Sequence, residues 1–304
     1  MKMFNIAKRV FLFVAVNILV VMTIGIVLGL LGIHNKLPEG MYTQLLVICL
    51  IWGMVGAFIS LALSRIMAKW LMGVRVIPPN VGDPALRELV QIVHSLARKA
   101  GIETMPEVGI YESDEVNAFA TGPTRSRSLV AVSTGLLRNM RREEIEGVLA
   151  HEISHITNGD MVTMTLVQGV INAFVMFLAR VVAFVVSRAM SRSDDDRGGG
   201  LIYFLLVMVF QFVFSLFGAI IVCWFSRWRE FRADAGGAEL AGRLKMISAL
   251  ESLQQFYEKN VESTTKEEAS FQAFKISGKQ GGLLRLFATH PPLEERIARL
   301  KKVG

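Results

Sequence analysis

The sequence predicts a multi-pass α-helical membrane protein with a cytoplasmic α+β domain. Three observations predict it. The 304 residues are 52% apolar and only 19% charged, with a mean hydropathy of +0.45. That surplus is gathered into four nearly charge-free runs rather than spread along the chain. The two long stretches between and after those runs are polar, and they mix helical and alternating patterns. Average soluble domains are about 45–50% apolar and about 25% charged. Disorder, collagen and coiled coil are excluded by composition, and two cysteines exclude a disulfide scaffold.

The first run, residues 10–33, has 24 residues without a charge. It follows Lys2, Lys8 and Arg9 but lacks a small-residue cleavage site, so it reads as an uncleaved anchor. The second run, 43–64, is equally free of charge. Each is long enough at 1.5 Å per residue to cross a hydrocarbon core of about 30 Å. The loop between them carries only Lys36 as a basic residue, whereas Arg65, Lys69 and Arg75 follow the second run. The positive-inside rule then puts both ends of this hairpin in the cytoplasm.

Residues 65–160 form the first polar segment. Asp83 is placed to cap a helix over 84–100, with Leu86, Leu89, Val90, Val93 and Leu96 at helical spacing and Gly101 as its stop. Residues 107–111 and 128–133 read as strands, and 117–122 as a polar turn. A further helix carries residues 151–155.

A second hairpin follows, with spans at about 161–186 and 201–226. The former is diluted by Thr163, Thr165, Gln168 and Asn172, so a buried helix or a hairpin dipping into a lipid-facing groove is its alternative. The last segment, 227–304, reads as helices over 227–243 and 244–257, a loop over 258–279, and a closing helix over 291–302 that starts on proline. The expected organisation is thus a hairpin over 1–64, a cytoplasmic part over 65–160, a hairpin over 161–226 and a second cytoplasmic part over 227–304. The net charge of +7 flanks the membrane runs, with no long basic stretch and no aromatic interleaving. Nucleic acid is not expected as a partner.

The chemistry centres on His151-Glu152-Ile153-Ser154-His155. On a helix, i and i+4 share a face, so both imidazoles can bind one Zn²⁺ while Glu152 takes a proton from the attacking water. The motif has only three fixed positions. Two partly exposed histidines on a juxtamembrane helix are the alternative. A catalytic zinc needs a third protein ligand. The best acidic candidate is Glu230, with Asp234 at i+4 available to accept the other ring N–H of a ligating histidine. Both could instead pair with Arg227, Arg229 and Arg232. If Glu230 is the ligand, His155 and Glu230 lie on one side of the membrane, and the chain between them crosses twice or not at all.

Four motifs in order now resemble a family: the H-E-I-S-H helix running into a membrane segment, Arg229-Glu230-Phe231-Arg232-Ala233-Asp234 after the next one, Asn117-Ala118-Phe119-Ala120-Thr121-Gly122 upstream, and Thr289-His290-Pro291-Pro292-Leu293-Glu294-Glu295-Arg296 near the end. Over essentially the whole chain they resemble the HtpX membrane zinc metalloproteases, relatives of the CaaX prenyl proteases with fewer spans. The resemblance implies a zincin-like metalloprotease domain with one Zn²⁺ per chain. It implies His151, His155 and Glu230 as metal ligands, Glu152 as the catalytic glutamate and Asp234 as the carboxylate behind a ligand. It further implies that His290 stabilises the tetrahedral intermediate and that Asn117 lies in the substrate-binding edge strand. The activity implied is a zinc metalloendopeptidase of the bacterial inner membrane, serving stress response and clearance of misfolded membrane proteins.

Residues 128–133 are expected to be an edge strand, with substrate lying extended against it through backbone hydrogen bonds. The expected partners are membrane-protein or unfolded polypeptide substrates and the lipid bilayer, with a homo-oligomer as an option. A non-catalytic, zinc-stabilised scaffold is the competing function, and Glu152 distinguishes the two.

Overall fold

The structure is a computed structural model that describes residues 40–78, 80–190, 199–263 and 283–302. The expected span over 10–33, the centre of the second hairpin's loop and most of the expected 258–279 loop lie outside the described residues. The described chain runs α1 (Met41–Leu71), β1 (Arg75–Val76), α2 (Pro84–Lys99), β2 (Glu107–Tyr111), β3 (Ala118–Thr124), β4 (Arg127–Ser133), α3 (Thr134–Asn139), α4 (Arg142–Asn158), α5 (Asp160–Met190), α6 (Gly199–Ala241), α7 (Arg243–Ser263), a 3₁₀ turn (Leu283–Phe287) and α8 (Leu293–Lys302). It divides into two compact units. One comprises Met1–Ile59 with Thr163–Val222, the other Ser60–Val162 with Cys223–Gly304.

Among the described residues of the first unit, three helices are long and apolar enough to cross a membrane: Tyr42–Leu71, Asp160–Met190 and Gly200–Ala241, each of which continues into the second unit. Their outward faces are large apolar side chains such as Ile48, Trp52 and Phe212. α1 and α5 approach closely through small residues. A Cβ on Gly53 would stand 2.7 Å from the Ala173 backbone nitrogen, and one on Gly169 would stand 2.5 Å from Met54 Sδ. Packing through small residues is how helices associate where lipid supplies no hydrophobic drive.

Among the described residues, the second unit holds a four-stranded sheet in the order β1-β2-β4-β3, covered by helices. β2 and β4 are parallel, and β1–β2 and β3–β4 antiparallel. Two expectations are corrected here. Residues 128–133 are a strand, but β4 is interior to the sheet and not an edge. Its residues Ser128–Ser133 are all buried, because Val130 and Val132 pack toward α2 and α4 while Leu129 and Ala131 pack toward Ala68, Val74 and Tyr111. And 117–122 is not a turn. Ala118–Thr124 is the edge strand β3, only partly buried, with its register to β4 shifted between Thr121 and Thr124. Its Gly- and Pro-containing sequence has poor strand propensity, and pairing with β4 overrides it.

Helix α2 forms as its spacing predicts. Asp83 Oδ1 accepts from the Ala85 N–H at 2.8 Å, and Leu89, Val93 and Leu96 are buried. Two further boundaries differ from expectation. Residues 199–241 are one helix with no break near 226, since nothing there removes a backbone hydrogen bond; the break falls at Gly242, with φ +99°. And α7 continues through 258 to Ser263.

Candidate metal centre and cleft

The centre is built on α4. Glu144 opens the helix by accepting from the Arg141 backbone N–H at 2.8 Å and from its guanidinium at 2.7 and 2.9 Å. Leu149, Ile153 and Ile156, at i, i+4 and i+7, are fully buried on the sheet side. His151 and His155 therefore share another face, as a 3.6-residue period demands. Their Nε2 atoms converge to 3.1 Å.

Helix α6 brings up the third group. His151 Nε2 lies 3.3 Å from Glu230 Oε2, and His155 Nε2 lies 3.3 Å from Glu230 Oε1. Ligand atoms of His151, His155 and Glu230 all fall within 4.8 Å of one another, and all three residues are buried. The close approach of α6 to α4 depends on glycine. A Cβ at Gly236 would meet Ser154 Oγ at 2.1 Å, and one at Gly237 would come within 3.1 Å of the His151 backbone nitrogen.

Each histidine has a carboxylate behind it. Asp234 Oδ1 lies 2.9 Å from His151 Nδ1 and is held by a two-pronged contact from Arg296, at 2.6 and 2.8 Å. Asp160 Oδ2 lies 2.7 Å from His155 Nδ1, and its other oxygen takes Arg232. His290 Nδ1 lies 2.7 Å from Glu230 Oε2, so a third imidazole contacts the same carboxylate. Burial opposes charge on His151, but the hydrogen bonds to Asp234 and Glu230 outweigh it and push the imidazole up to about 9. His155 is raised against its burial by Asp160 and Glu230. Burial would also raise the Glu230 carboxyl, yet the charge on His290 and the three imidazole contacts hold it well below the usual range. Asp234 is lowered in the same way by Arg296.

Two imidazole nitrogens and one carboxylate oxygen, buried and converging, are a donor set suited to a borderline divalent metal, with room left for a non-protein ligand. The residues present fit such an ion.

A cleft of about 330 Å³ opens beside them. Glu152, His151, Glu230 and His290 line it together with Leu136, Val148, Leu250 and Tyr257, and Asn117 and Ala118 border it at the start of β3. Asn117 is held through its backbone: its N–H donates to Ser133 Oγ at 3.1 Å and its carbonyl accepts from the Ser133 N–H at 2.9 Å. Every residue singled out from the sequence thus borders one cleft or its immediate support. Of the arginines weighed as competing partners, Arg229 does contact Glu230, at 3.1 Å. Arg227 instead donates to backbone carbonyls of Leu286 and Ala288. Sequence reasoning missed Asp160 and Arg296. Arg296 is four residues into the closing helix, and nothing local marks it as the partner of a residue 62 positions earlier.

Comparison with known proteins gives one family. Residues 85–303 match the model of peptidase family M48. The chain is 50% identical to the protease HtpX homolog of Bacillus subtilis (strain 168), over 97% of this chain and 99% of that protein. It is 49% identical to the protease HtpX homolog of Methylacidiphilum infernorum, with the same coverage. It is 51% identical to protease HtpX of Xanthomonas axonopodis pv. citri, over 98% of each. Among solved structures, the crystal structure of S. mikatae Ste24p aligns with a TM-score of 0.55 at 19% identity, covering 95% of this chain and 66% of that one; this likeness concerns the fold alone.

Proposed function

The chain belongs to peptidase family M48 and is a membrane metalloprotease, and on that premise we propose that it is a zinc-dependent endopeptidase (EC 3.4.24 class) of the bacterial inner membrane. Its active site faces the cytoplasm, and it hydrolyses misfolded or damaged membrane proteins as part of stress-responsive quality control. The observation that carries the catalytic reading is the convergence of His151, His155 and Glu230 beside Glu152 in one cleft. His151, His155 and Glu230 would hold the ion. When bound, zinc supplies Lewis-acid polarisation of the scissile carbonyl and makes water a nucleophile near neutral pH.

The protein's own groups do the rest. Glu152 accepts the proton of the attacking water and returns it to the leaving amine. His290, held through Nδ1 by Glu230, turns its other ring nitrogen to the developing oxyanion; one such donor is worth about 10²–10³ in rate. The outer edge of β3 offers backbone N–H and C=O groups to an extended peptide, with Asn117 at its entrance. Recognition through the substrate backbone imposes little sequence preference, which suits clearance of varied damaged chains. The cytoplasmic orientation is supported by the lysines and arginines flanking the second run.

The test is metal content and casein cleavage of the purified full-length protein. Glu152→Gln is expected to keep the metal and lose cleavage; cleavage at the wild-type rate would remove Glu152 from the mechanism and favour the scaffold reading. Glu230→Ala is expected to lose the metal, and full occupancy in that variant would place the third ligand elsewhere.

A further inference from the structure

The two ligand histidines are supported by different parts of the chain. His151 leans on Asp234, which lies one turn beyond Glu230 on the same helix. His155 leans on Asp160, which belongs to neither ligand-bearing motif. Asp160 is the first residue of α5, and it reaches back to His155 because Gly159 takes the left-handed conformation, φ +65°, and ends α4 with its N–H on the carbonyls of His155 and Ile156. An L side chain in that conformation is strained, so the turn that aims Asp160 is specified by glycine. Asp160 is completely buried. Its Oδ2 is 2.7 Å from His155 Nδ1, and its Oδ1 is taken by Arg232, whose guanidinium lies 5.4 Å from the centre of the Trp228 ring. The start of a helix also favours a carboxylate through the helix dipole.

We propose that Asp160 is a positioning residue for the metal centre. It accepts the Nδ1–H of His155, which fixes the neutral tautomer with the Nε2 lone pair aimed at the ion. Arg232, packed on Trp228, holds the carboxylate in place. Asp160 does not ligate, since it lies on the Nδ1 side of the ring, away from His151 Nε2 and Glu230. The centre is therefore supported by two Asp–Arg pairs, one per histidine: Asp234 with Arg296, and Asp160 with Arg232. The second joins the first residue of one apolar helix to the polar end of another. Sequence spacing supports the assignment, because Asp160 follows His155 by five positions across a glycine turn.

The proposal rests on the ligand reading above and is tested apart from proteolysis. Full-length protein in detergent is titrated with Co²⁺ against a competing chelator, with the visible absorption of the bound ion as the readout. Loss of a partner behind a metal-ligating histidine costs about 10–100-fold in affinity. That loss is expected for Asp160→Ala. Asp160→Asn, which keeps an acceptor oxygen but loses the charge, is expected to lose less, and Arg232→Gln to weaken binding in the same direction. Leu149→Ala removes a core side chain from the opposite face of α4. It is expected to lower the thermal midpoint and leave Co²⁺ affinity unchanged.

Wild-type affinity in Asp160→Asn and Asp160→Ala would overturn the proposal. So would a loss no greater than that of Leu149→Ala at an equal drop in midpoint. If Asp160→Ala does not fold, the isosteric Asn variant decides alone. A Glu230→Ala protein that still binds Co²⁺ would instead overturn the ligand reading, so the two failures are distinguishable.

Discussion

The two units of this chain obey opposite burial rules. In the unit formed by Met1–Ile59 and Thr163–Val222, large apolar side chains point outward: Trp52 is 70% exposed, Phe212 66% and Ile48 61%. In the other unit several charges are inside. Glu230 and Asp160 are fully buried, and Asp234, Glu144 and Arg296 nearly so. Each inward charge has a partner within hydrogen-bond reach. Lipid solvates apolar surface, so the first unit gains nothing by hiding it and is held by close backbone packing. Water solvates charge, so a buried charge in the second unit persists only where a counter-charge replaces that water. The same twenty side chains thus report which solvent each unit meets.

The largest expected break in this contrast is Asp234→Ala. It strands Arg296 in the interior and leaves His151 Nδ1 without its acceptor, and it is expected to destabilise the fold by about 3–5 kcal/mol. Truncating a larger residue in the other unit, Trp52→Ala, is expected to change stability by no more than about 0.5 kcal/mol, because that ring faces outward. Denaturation followed by circular dichroism in one detergent compares the two. Equal costs would mean the units do not differ in this way.

A smaller effect sharpens the comparison at the glycines. Gly236→Ala drives a Cβ to 2.1 Å from Ser154 Oγ and is expected to cost about 1–3 kcal/mol, and Ser154→Ala in the same chain is expected to recover part of it. Gly53→Ala is expected to cost a comparable amount, but its clash is with the Ala173 and Gly169 backbones, so no side-chain truncation relieves it. Thermal midpoints of the two single variants and the double variant check this; rescue of Gly53→Ala by a partner truncation would contradict the packing described.

The smallest expected effect is a pH dependence of the second unit alone. Burial would raise the Glu144 carboxyl, but the hydrogen bonds and charge of Arg141 hold it below its ordinary value of 4.5. A carboxyl lowered on folding contributes stability that is present above the unfolded value and disappears as pH falls through the folded one. The midpoint difference between wild type and Glu144→Gln should therefore be widest at pH 6 and narrow as pH drops below about 4.5. A difference that stays constant down to pH 3 would show that Glu144 gains nothing from Arg141.

Much of this was legible in the sequence because the signals are local. Charge-free runs announce helices that cross a membrane. The i, i+4 histidines of α4 and the i, i+4 acids of α6 announce faces. Helix α2 and strand β2 follow from capping and apolar patterning. The failures share one cause. Whether β4 or β3 is the edge depends on what covers each face, and residues 128–133 alternate in a way that suits either place. The strand β3 carries glycine and proline and looks like a turn until β4 pairs with it. Asp160 reads as an ordinary first-turn acid, and Arg296 as one charge among several on α8.

The sequence by itself determined the membrane-spanning character, the family and the identities of the candidate ligands, because each of these is written within a turn or two of helix or in a run of uniform hydropathy. The tertiary structure alone decided which strand presents an open edge to the cleft, that Gly236 and Gly237 let the two ligand helices touch, and that a distinct Asp–Arg pair stands behind each histidine. Those facts depend on which residues meet in the folded chain, such as Asp160 with Arg232 and Asp234 with Arg296, 72 and 62 positions apart, and no local pattern encodes the distance between two such groups in space.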